Sequence, residues 1–191
     1  MDTCIGLVGK DYVLLAADAM AGRSIMIYKS DEDKILPLNS TTLLGMTGPQ
    51  GDRANFGEYV RRNVYLKELR EKVPLTTSAI ANFTRNELHE ALRSGPYQVN
   101  ILLGGVDEAK PSLYYMDYLA SMQEVNFGVH GHASNFCLSV LDKYWLPNMS
   151  QEEGIECLRK CIKELNTRFM INLSEWKVKI ITAEGLKEVA L

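Results

Sequence analysis

The feature that most constrains this chain is a run of six apolar or aromatic residues that a charge ends abruptly. Residues 12–17 read Tyr-Val-Leu-Leu-Ala-Ala, and Asp18 follows them. A strand with one solvated face alternates between polar and apolar residues, whereas an unbroken apolar strand is covered on both faces. The run therefore predicts a strand deep inside a layered fold. The carboxylate at its end must be paired, hydrogen-bonded or placed at the mouth of a site.

A second apolar run, residues 3–8, precedes this strand. The Gly-Lys-Asp break at residues 9–11 suits a tight turn, so we predict an antiparallel hairpin. Lys34 stands sixteen residues after Asp18, directly before an Ile-Leu pair, and is the candidate partner of the Asp18 carboxylate. Spacing alone leaves open a purely structural ion pair, or a turn acid and a solvated lysine that do not meet.

Two pairs of amphipathic helices follow. The first pair is predicted over residues 52–72, capped by Asp52, and from a cap at Thr76 or Thr77 to residue 93. The second pair is predicted over residues 133–145 and from residue 151 to about 169, where Ser150 and Glu153 form a capping box. Further strands are predicted over residues 24–29, 34–38, 41–47, 98–104, 113–117, 177–183 and 186–191.

This order of elements predicts the architecture. A helix pair buries its apolar stripe against a sheet face, so two pairs require two such faces. We therefore predict an α+β fold, a four-layer αββα sandwich with two antiparallel sheets between two helical layers. A length of 191 residues fits one domain over residues 1–191.

Composition limits the function classes. The net charge is −3 with 24% charged residues, which gives no electrostatic case for nucleic-acid or membrane binding. No window reaches the roughly 18 apolar residues of a membrane-spanning helix, and the N-terminus lacks a signal-peptide pattern, so we expect a location in the cytosol or nucleus.

The four cysteines include no Cys-x-x-Cys pair, which predicts reduced, buried thiols. The Gly104-Gly105 pair is not followed by the Gly-Lys-Ser/Thr of a phosphate loop, and no cofactor is expected.

The histidines offer one metal hypothesis. His130 and His132 would share a face if they lay on one strand, so their imidazoles could chelate zinc. Zinc sites use three or four ligands, and only Cys137 stands nearby, so we predict no metal site. His89, among charged helix residues, is predicted to be solvated.

Several of these features together resemble the beta subunits of the 20S proteasome. They are the N-terminal hairpin, the string Val-Leu-Leu-Ala-Ala-Asp ending at Asp18, the Lys34-Ile35 pair, and Gly48 with Asp52. In that family a threonine at the mature N-terminus is the nucleophile. Its free α-amine, with a reference pKa of about 7.7–8.0, can act as the base. An aspartate and a lysine flank this threonine, and a serine-aspartate-serine set from the distal half completes the site. The resemblance implies the N-terminal nucleophile hydrolase fold.

The resemblance also implies where this chain departs from active members. Asp18 and Lys34 match the family aspartate and lysine, and counting back from both puts Asp2 at the nucleophile position. Thr3 stands one residue further along, so its side chain would point to the other face of the strand. Asp2 has no hydroxyl and, while Met1 remains, no free amine. We expect no propeptide whose removal would expose a threonine.

The distal half departs as well. Where this chain has His130 and His132 around a glycine, active members of the family have a sequence similar to Gly-Ser-Gly-Ser. In residues 170–175 of this chain only Ser174 offers a hydroxyl, and no aspartate precedes it there. We therefore expect no catalytic residue. Asp2, Asp18, Lys34 and His130 are predicted to be degenerate active-site positions, with the histidines filling that cavity or a subunit contact.

Within the family, the strings Asp-Tyr-Val-Leu-Leu-Ala and Tyr-Tyr-Met-Asp-Tyr-Leu-Ala are closest to the non-catalytic, type-2 (fourth-position) group of eukaryotic beta subunits. The resemblance implies a structural role in ATP- and ubiquitin-dependent protein degradation, in cytoplasm and nucleus. The implied partners are other beta subunits in a seven-membered ring, the alpha ring and the opposing beta ring, with no nucleic acid or membrane. The 130–136 turn and the C-terminal strand are candidate contacts.

Two alternatives remain open at this point. Cleavage before Thr3 would give an active N-terminal threonine peptidase, although the distal residues and the register of Thr3 against Asp18 disfavour it. A free-standing binding domain could reuse the same sandwich, because a fold does not fix a function.

Overall fold

Two five-stranded antiparallel sheets form the centre of the computed structural model, which describes residues 2–23, 26–170, 173 and 175–191. Strands are numbered in chain order. The first sheet contains, in spatial order, β10 (Phe127–His130), β1 (Cys4–Val8), β2 (Tyr12–Asp18), β11 (Trp176–Thr182) and β12 (Gly185–Val189). The second contains β5 (Ile35–Pro37), β6 (Thr42–Thr47), β7 (Asn100–Asp107), β8 (Lys110–Met116) and β9 (Met122–Glu124). A separate pair joins β3 (Ala21–Arg23) to β4 (Met26–Lys29).

Four helices cover the two sheets. The first pair, α1 (Gln50–Glu71) and α2 (Thr77–Ala91), packs on the second sheet around Phe56, Val60 and Ile80. The second pair, α3 (Ser134–Tyr144) and α4 (Gln151–Arg168), packs on the first sheet. A third apolar cluster lies between the sheets. The predicted α+β, four-layer αββα sandwich is confirmed.

Strand β2 lies at the centre of this arrangement. All seven of its residues are buried, and it is hydrogen-bonded to β1 on one side and β11 on the other. Val13 and Leu15 face the second sheet, whereas Tyr12 and Leu14 pack against the layer of α3 and α4. The unbroken apolar run therefore has the predicted cause, because both of its faces are covered by protein.

Most element predictions are confirmed, with differences at the ends. Helix α1 follows Pro49 without a side-chain cap; Asp52 lies inside its first turn and accepts a hydrogen bond from the Gln98 N–H at 3.0 Å. The prediction that Asp52 caps the helix was wrong, because its carboxylate lies inside the first turn and accepts a hydrogen bond from the loop before β7 instead. The short strands β3, β9 and β10 were missed, and Ser24, predicted to begin a strand, lies outside the described residues.

The hairpin of β7 and β8 is longer than predicted. Glu108 and Ala109 both have positive φ angles, 48° and 65°, and form a two-residue turn. Such a turn matches the twist of paired strands, so the strands stay paired up to Asp107 and Lys110. The sequence predicted strands only over residues 98–104 and 113–117 here.

The four cysteines are all free and buried, as predicted. His89 is exposed on α2, also as predicted. In the described part of the chain no helix has the length and apolar character needed to cross a membrane.

Two predicted helix caps are present. Thr76 accepts a hydrogen bond from the Ala79 N–H at 3.2 Å. Ser150 accepts one from the Glu153 N–H at 3.3 Å, and the Glu153 carboxylate accepts one from the Ser150 N–H at 2.8 Å, which completes the capping box of α4.

The Ser150→Ala variant is expected to lose about 1 kcal/mol of unfolding free energy, because an N-cap hydroxyl satisfies an otherwise unpaired helix N–H. Urea unfolding monitored by circular dichroism measures this loss. Ser78→Ala is the matched control, since Ser78 is exposed in the first turn of α2 and is not a cap. Equal stabilities of the two variants would contradict the assignment of the capping box.

Candidate functional site

The Lys34 side chain is buried, and its ammonium has three oxygen partners. The Nζ atom donates to Asp18 Oδ2 at 2.8 Å, to Asp2 Oδ1 at 2.9 Å and to the Met20 carbonyl oxygen at 2.7 Å. These partners replace the water that a buried ammonium loses. The predicted pairing of Asp18 with Lys34 is confirmed as a contact.

Asp18 connects this lysine to the start of the chain. It ends β2 and is fully buried, and its Oδ1 atom accepts a hydrogen bond from the Thr3 N–H at 2.6 Å. Its Oδ2 atom also accepts from the Met20 N–H at 3.2 Å. One carboxylate therefore fixes the lysine and the backbone at both ends of the hairpin.

Asp2 is the second carboxylate on Lys34. Its Oδ2 atom accepts a hydrogen bond from the Gly48 N–H at 3.0 Å and lies 3.4 Å from Arg53 Nε. Burial by itself would raise the pKa of the Asp2 carboxyl, but Lys34, Arg53 and the Gly48 N–H stabilise the anion and together lower that pKa. Asp2 is therefore held as a carboxylate by two cations and one backbone donor.

A cleft of about 710 Å³ opens above Asp2. Its walls come from the β3 and β4 pair, the end of β6, the start of α1 and the turn after β10. The lining residues are Asp2, Ala21, Gly22, Tyr28, Thr47, Gly48, Pro49, Gln50, Arg53, Asn100, Gly131 and His132.

Thr3 does not line this cleft. It is buried, its N–H donates to Asp18, and its carbonyl oxygen accepts from the Asp18 N–H at 3.2 Å. The chain therefore directs Asp2, and not the neighbouring threonine, into the cleft, as expected for adjacent residues in extended backbone.

The two histidines lie in different environments. Strand β10 ends at His130, and Gly131 has a φ of +89°, so the two-residue alternation does not continue to His132. His130 is buried between the sheets, where its Nε2 donates to the Ile101 carbonyl oxygen at 2.9 Å and its ring stacks on Tyr115. His132 is exposed and lines the cleft.

This geometry corrects one expectation and explains why the zinc hypothesis fails. His130 does not fill the cleft, and the pair does not present two imidazoles to one ion, because the turn at Gly131 separates them. A side chain at position 131 would collide with the Asp2 carbonyl oxygen, so this turn and the Asp2 strand fit together closely. Among the described residues, no cluster of three or more His, Cys, Asp or Glu side chains is arranged to hold a metal.

Sequence reasoning missed Arg53 and the roles of Gly48 and Met20. Arg53 also donates to the Gly48 carbonyl oxygen at 3.0 Å and to Glu32 at 3.1 Å, so it joins α1 to the floor of the cleft. A single arginine in the first turn of a helix has no distinctive sequence pattern. Backbone N–H and carbonyl groups that bind a side chain leave no sequence pattern either. The predicted distal hydroxyl, Ser174, lies outside the described residues.

Comparison with known proteins gives consistent matches along the chain. A family model described as proteasome subunit matches residues 1–181. Proteasome subunit beta type-2-B of Arabidopsis thaliana is 46% identical over 189 residues, which are 98% of this chain and 95% of that protein. Proteasome subunit beta type-2 of Oryza sativa subsp. japonica is 44% identical over 191 residues, 100% of this chain and 90% of that protein. Proteasome subunit beta type-4 of Saccharomyces cerevisiae is 37% identical over 192 residues, 99% of this chain and 97% of that protein.

Proposed function

The chain belongs to the proteasome subunit family as a beta-type member of the core particle, and from this premise we propose that it is a non-catalytic, structural subunit. In this role it helps to build the beta ring and to enclose the proteolytic chamber. Its partners are the neighbouring beta subunits, the alpha ring and the opposing beta ring.

The observation that carries the proposal is the chemistry of Asp2. The side chain that reaches Lys34 from the cleft is a carboxylate, and it also accepts from Gly48 and lies beside Arg53. A nucleophilic hydroxyl with an adjacent base is what the family's peptidase chemistry requires. A lysine already bound to two carboxylates and a carbonyl oxygen stabilises structure instead of activating a nucleophile.

An active threonine peptidase is the alternative. Cleavage before Thr3 would create the required amine. Thr3 is buried, however, and its N–H and its carbonyl oxygen are both hydrogen-bonded to Asp18. Exposing its hydroxyl to the cleft would require the first strand to shift by one residue and would break these bonds. A nucleophile displaced in this way loses orders of magnitude in rate.

The names of the relatives favour the fourth-position, type-2 group for this chain. They carry the names beta type-2 in plants and beta type-4 in yeast, and the chain covers at least 90% of each of them. From the resemblance to this group we also propose a role in ATP- and ubiquitin-dependent degradation, in cytoplasm and nucleus.

One experiment on the native particle tests the proposal. A tagged copy of this chain is purified from its source cells, treated with an electrophilic peptide probe for N-terminal threonines, and measured by intact mass. We expect other proteasome subunits to copurify and to include labelled ones, while this chain stays unlabelled and its mass includes Asp2. The labelled subunits are the internal control. A chain that begins at Thr3 and carries the probe would overturn the non-catalytic role.

Subcellular location is tested separately. A fluorescent fusion that incorporates into the particle is expected in both cytoplasm and nucleus. Exclusive residence in another compartment would contradict that part of the proposal.

A further inference from the structure

A second cavity, called here the side pocket, lies beside the cleft above Asp2. Its volume is about 230 Å³, roughly that of eight water molecules in the liquid, which is room for one bulky side chain. Its apolar wall is formed by Leu36, Met46, Ala54 and Gly57. Gln50 and Arg53 line both the side pocket and the cleft, so these two side chains lie at the boundary between the two cavities.

Arg53 is held at this boundary by oxygen atoms of both cavities. Its Nε atom donates to the Gly48 carbonyl oxygen at 3.0 Å and lies 3.4 Å from Asp2 Oδ2, and both of these residues line the cleft. Its Nη2 atom donates to Glu32 Oε1 at 3.1 Å, and Glu32 lines the side pocket. The Arg53 side chain is only 7% exposed. Because the N–H groups of a guanidinium point in fixed directions, these contacts together determine where the side chain lies.

The other charged side chains that line the side pocket have partners of opposite charge. Asp33 pairs with Lys179, and Glu58 pairs with Arg61 at 2.9 Å. Lys34 is bound by its two carboxylates, as described above. A group that enters the pocket would therefore bind mainly through contact with the apolar wall. Such contact favours an apolar group over a charged one, because a charged group would lose its hydration without gaining a new partner.

We propose that Arg53 determines what the cleft can bind: it closes the path from the cleft to the side pocket and so excludes peptides that carry a bulky apolar side chain. Without its guanidinium the two cavities would join, and a leucine-sized side chain of a peptide in the cleft would reach Leu36 and Met46. A cavity with an apolar wall and a few polar groups is a typical binding site. The inference rests on the proposed function, because a non-catalytic cleft that bound peptides would hold them without cutting them.

Photolabelling of the tagged full-length chain in the assembled particle tests this role of Arg53. The probe is acetyl-Ala-Ala-photoleucine amide, whose diazirine releases N₂ on illumination and inserts into a neighbouring bond. We expect the Arg53→Ala chain to be labelled at Leu36 or Met46 about tenfold more than the unmodified chain, since burying a leucine-sized side chain favours binding by at least this factor. Mass spectrometry of the digested chain measures the labelling. Equal labelling of the two chains at these residues would overturn the inference.

Arg85→Ala is the matched control. Arg85 also donates to a backbone carbonyl oxygen, that of Ala120 at 3.2 Å, but it lines neither cavity. This variant should be labelled no more than the unmodified chain. Excess acetyl-Ala-Ala-Leu amide should suppress the labelling of the Arg53→Ala chain, whereas acetyl-Ala-Ala-Asp amide should not. Equal suppression by the two peptides would contradict the apolar character of the joined cavity.

A second variant covers the case in which the Arg53→Ala chain does not assemble, since that substitution removes one of the two cations beside Asp2. Arg53→Lys keeps a cation there, but a single ammonium cannot reproduce the planar fork that binds Gly48 and Glu32 together. Its labelling at Leu36 or Met46 is expected to exceed that of Arg85→Ala. Labelling no greater than that of Arg85→Ala would overturn the inference.

The two proposals fail in different ways. If the unmodified chain does not copurify with proteasome subunits, the proposed function fails. If it copurifies but replacement of Arg53 does not increase the labelling, only the role of Arg53 is rejected.

Discussion

The Lys34→Met variant is expected to lose about 3–5 kcal/mol of unfolding free energy, a large fraction of the roughly 5–15 kcal/mol typical of a domain, and to assemble less efficiently. The substitution keeps an unbranched side chain of similar length. It leaves Asp18 fully buried without its cation, and it leaves Asp2 with Arg53 as its remaining cation. A buried carboxylate that loses its partner bears the full cost of desolvation. Denaturant unfolding of the full chain and its incorporation into particles measure the effect.

Lys29→Met is the control for this variant. Lys29 pairs with Asp31 at 3.6 Å, but both side chains are largely exposed. An exposed pair contributes about 0–1 kcal/mol, so this variant should assemble normally.

Adding Asp18→Asn to Lys34→Met is expected to recover part of the lost stability, because it removes the uncompensated charge. A Lys34→Met chain as stable as Lys29→Met would contradict the structural role of the lysine. Loss of one peptidase activity from intact particles would instead point to catalysis by this chain.

The stability of the chain is expected to fall by about 3 kcal/mol between pH 7 and pH 4 because of His130 alone. Burial lowers the pKa of His130 to about 4, although the hydrogen bond to the Ile101 carbonyl oxygen opposes this shift. The unfolded histidine titrates near its ordinary value of 6.5. As the pH falls through this window, the unfolded state takes up a proton that the folded state does not. Acid therefore favours unfolding.

His130→Gln isolates this contribution. Glutamine can still donate a hydrogen bond toward Ile101 but does not titrate, so its unfolding free energy should depend less on pH between 7 and 4. The control is His89→Gln, because His89 is exposed. Carboxyl groups such as Asp2 titrate in all three proteins, so their effect cancels in the comparison. Parallel pH profiles for wild type and His130→Gln would refute the prediction.

Lys34 has a structural task in this chain. Its contacts with Asp18 and Asp2 form a network that joins the residue before β1, the end of β2 and the residue before β5 to the start of α1 through Gly48 and Arg53. Such a network positions the first strand in the sheet and so preserves the shape of the subunit.

The sequence by itself determined most of the elements and the layers, and it identified Lys34 as the candidate partner of Asp18 without deciding that the two meet. Apolar periodicity, the capping box at Ser150 and the uninterrupted run of β2 are local signals, and they specify which face of each element is buried. The order of elements then left few ways to cover every apolar face, which fixed the four-layer sandwich.

Only the tertiary structure decided what surrounds the site. Asp2 meets Gly48 and Arg53, which are more than forty residues away, and the turn at Gly131 sends His130 into the core and His132 to the cleft. The exposed apolar side chains of α1, such as Tyr65 and Leu69, stand out only when the opposite side of the helix is seen to be packed. These features depend on which distant segments approach each other, and no local periodicity records that approach.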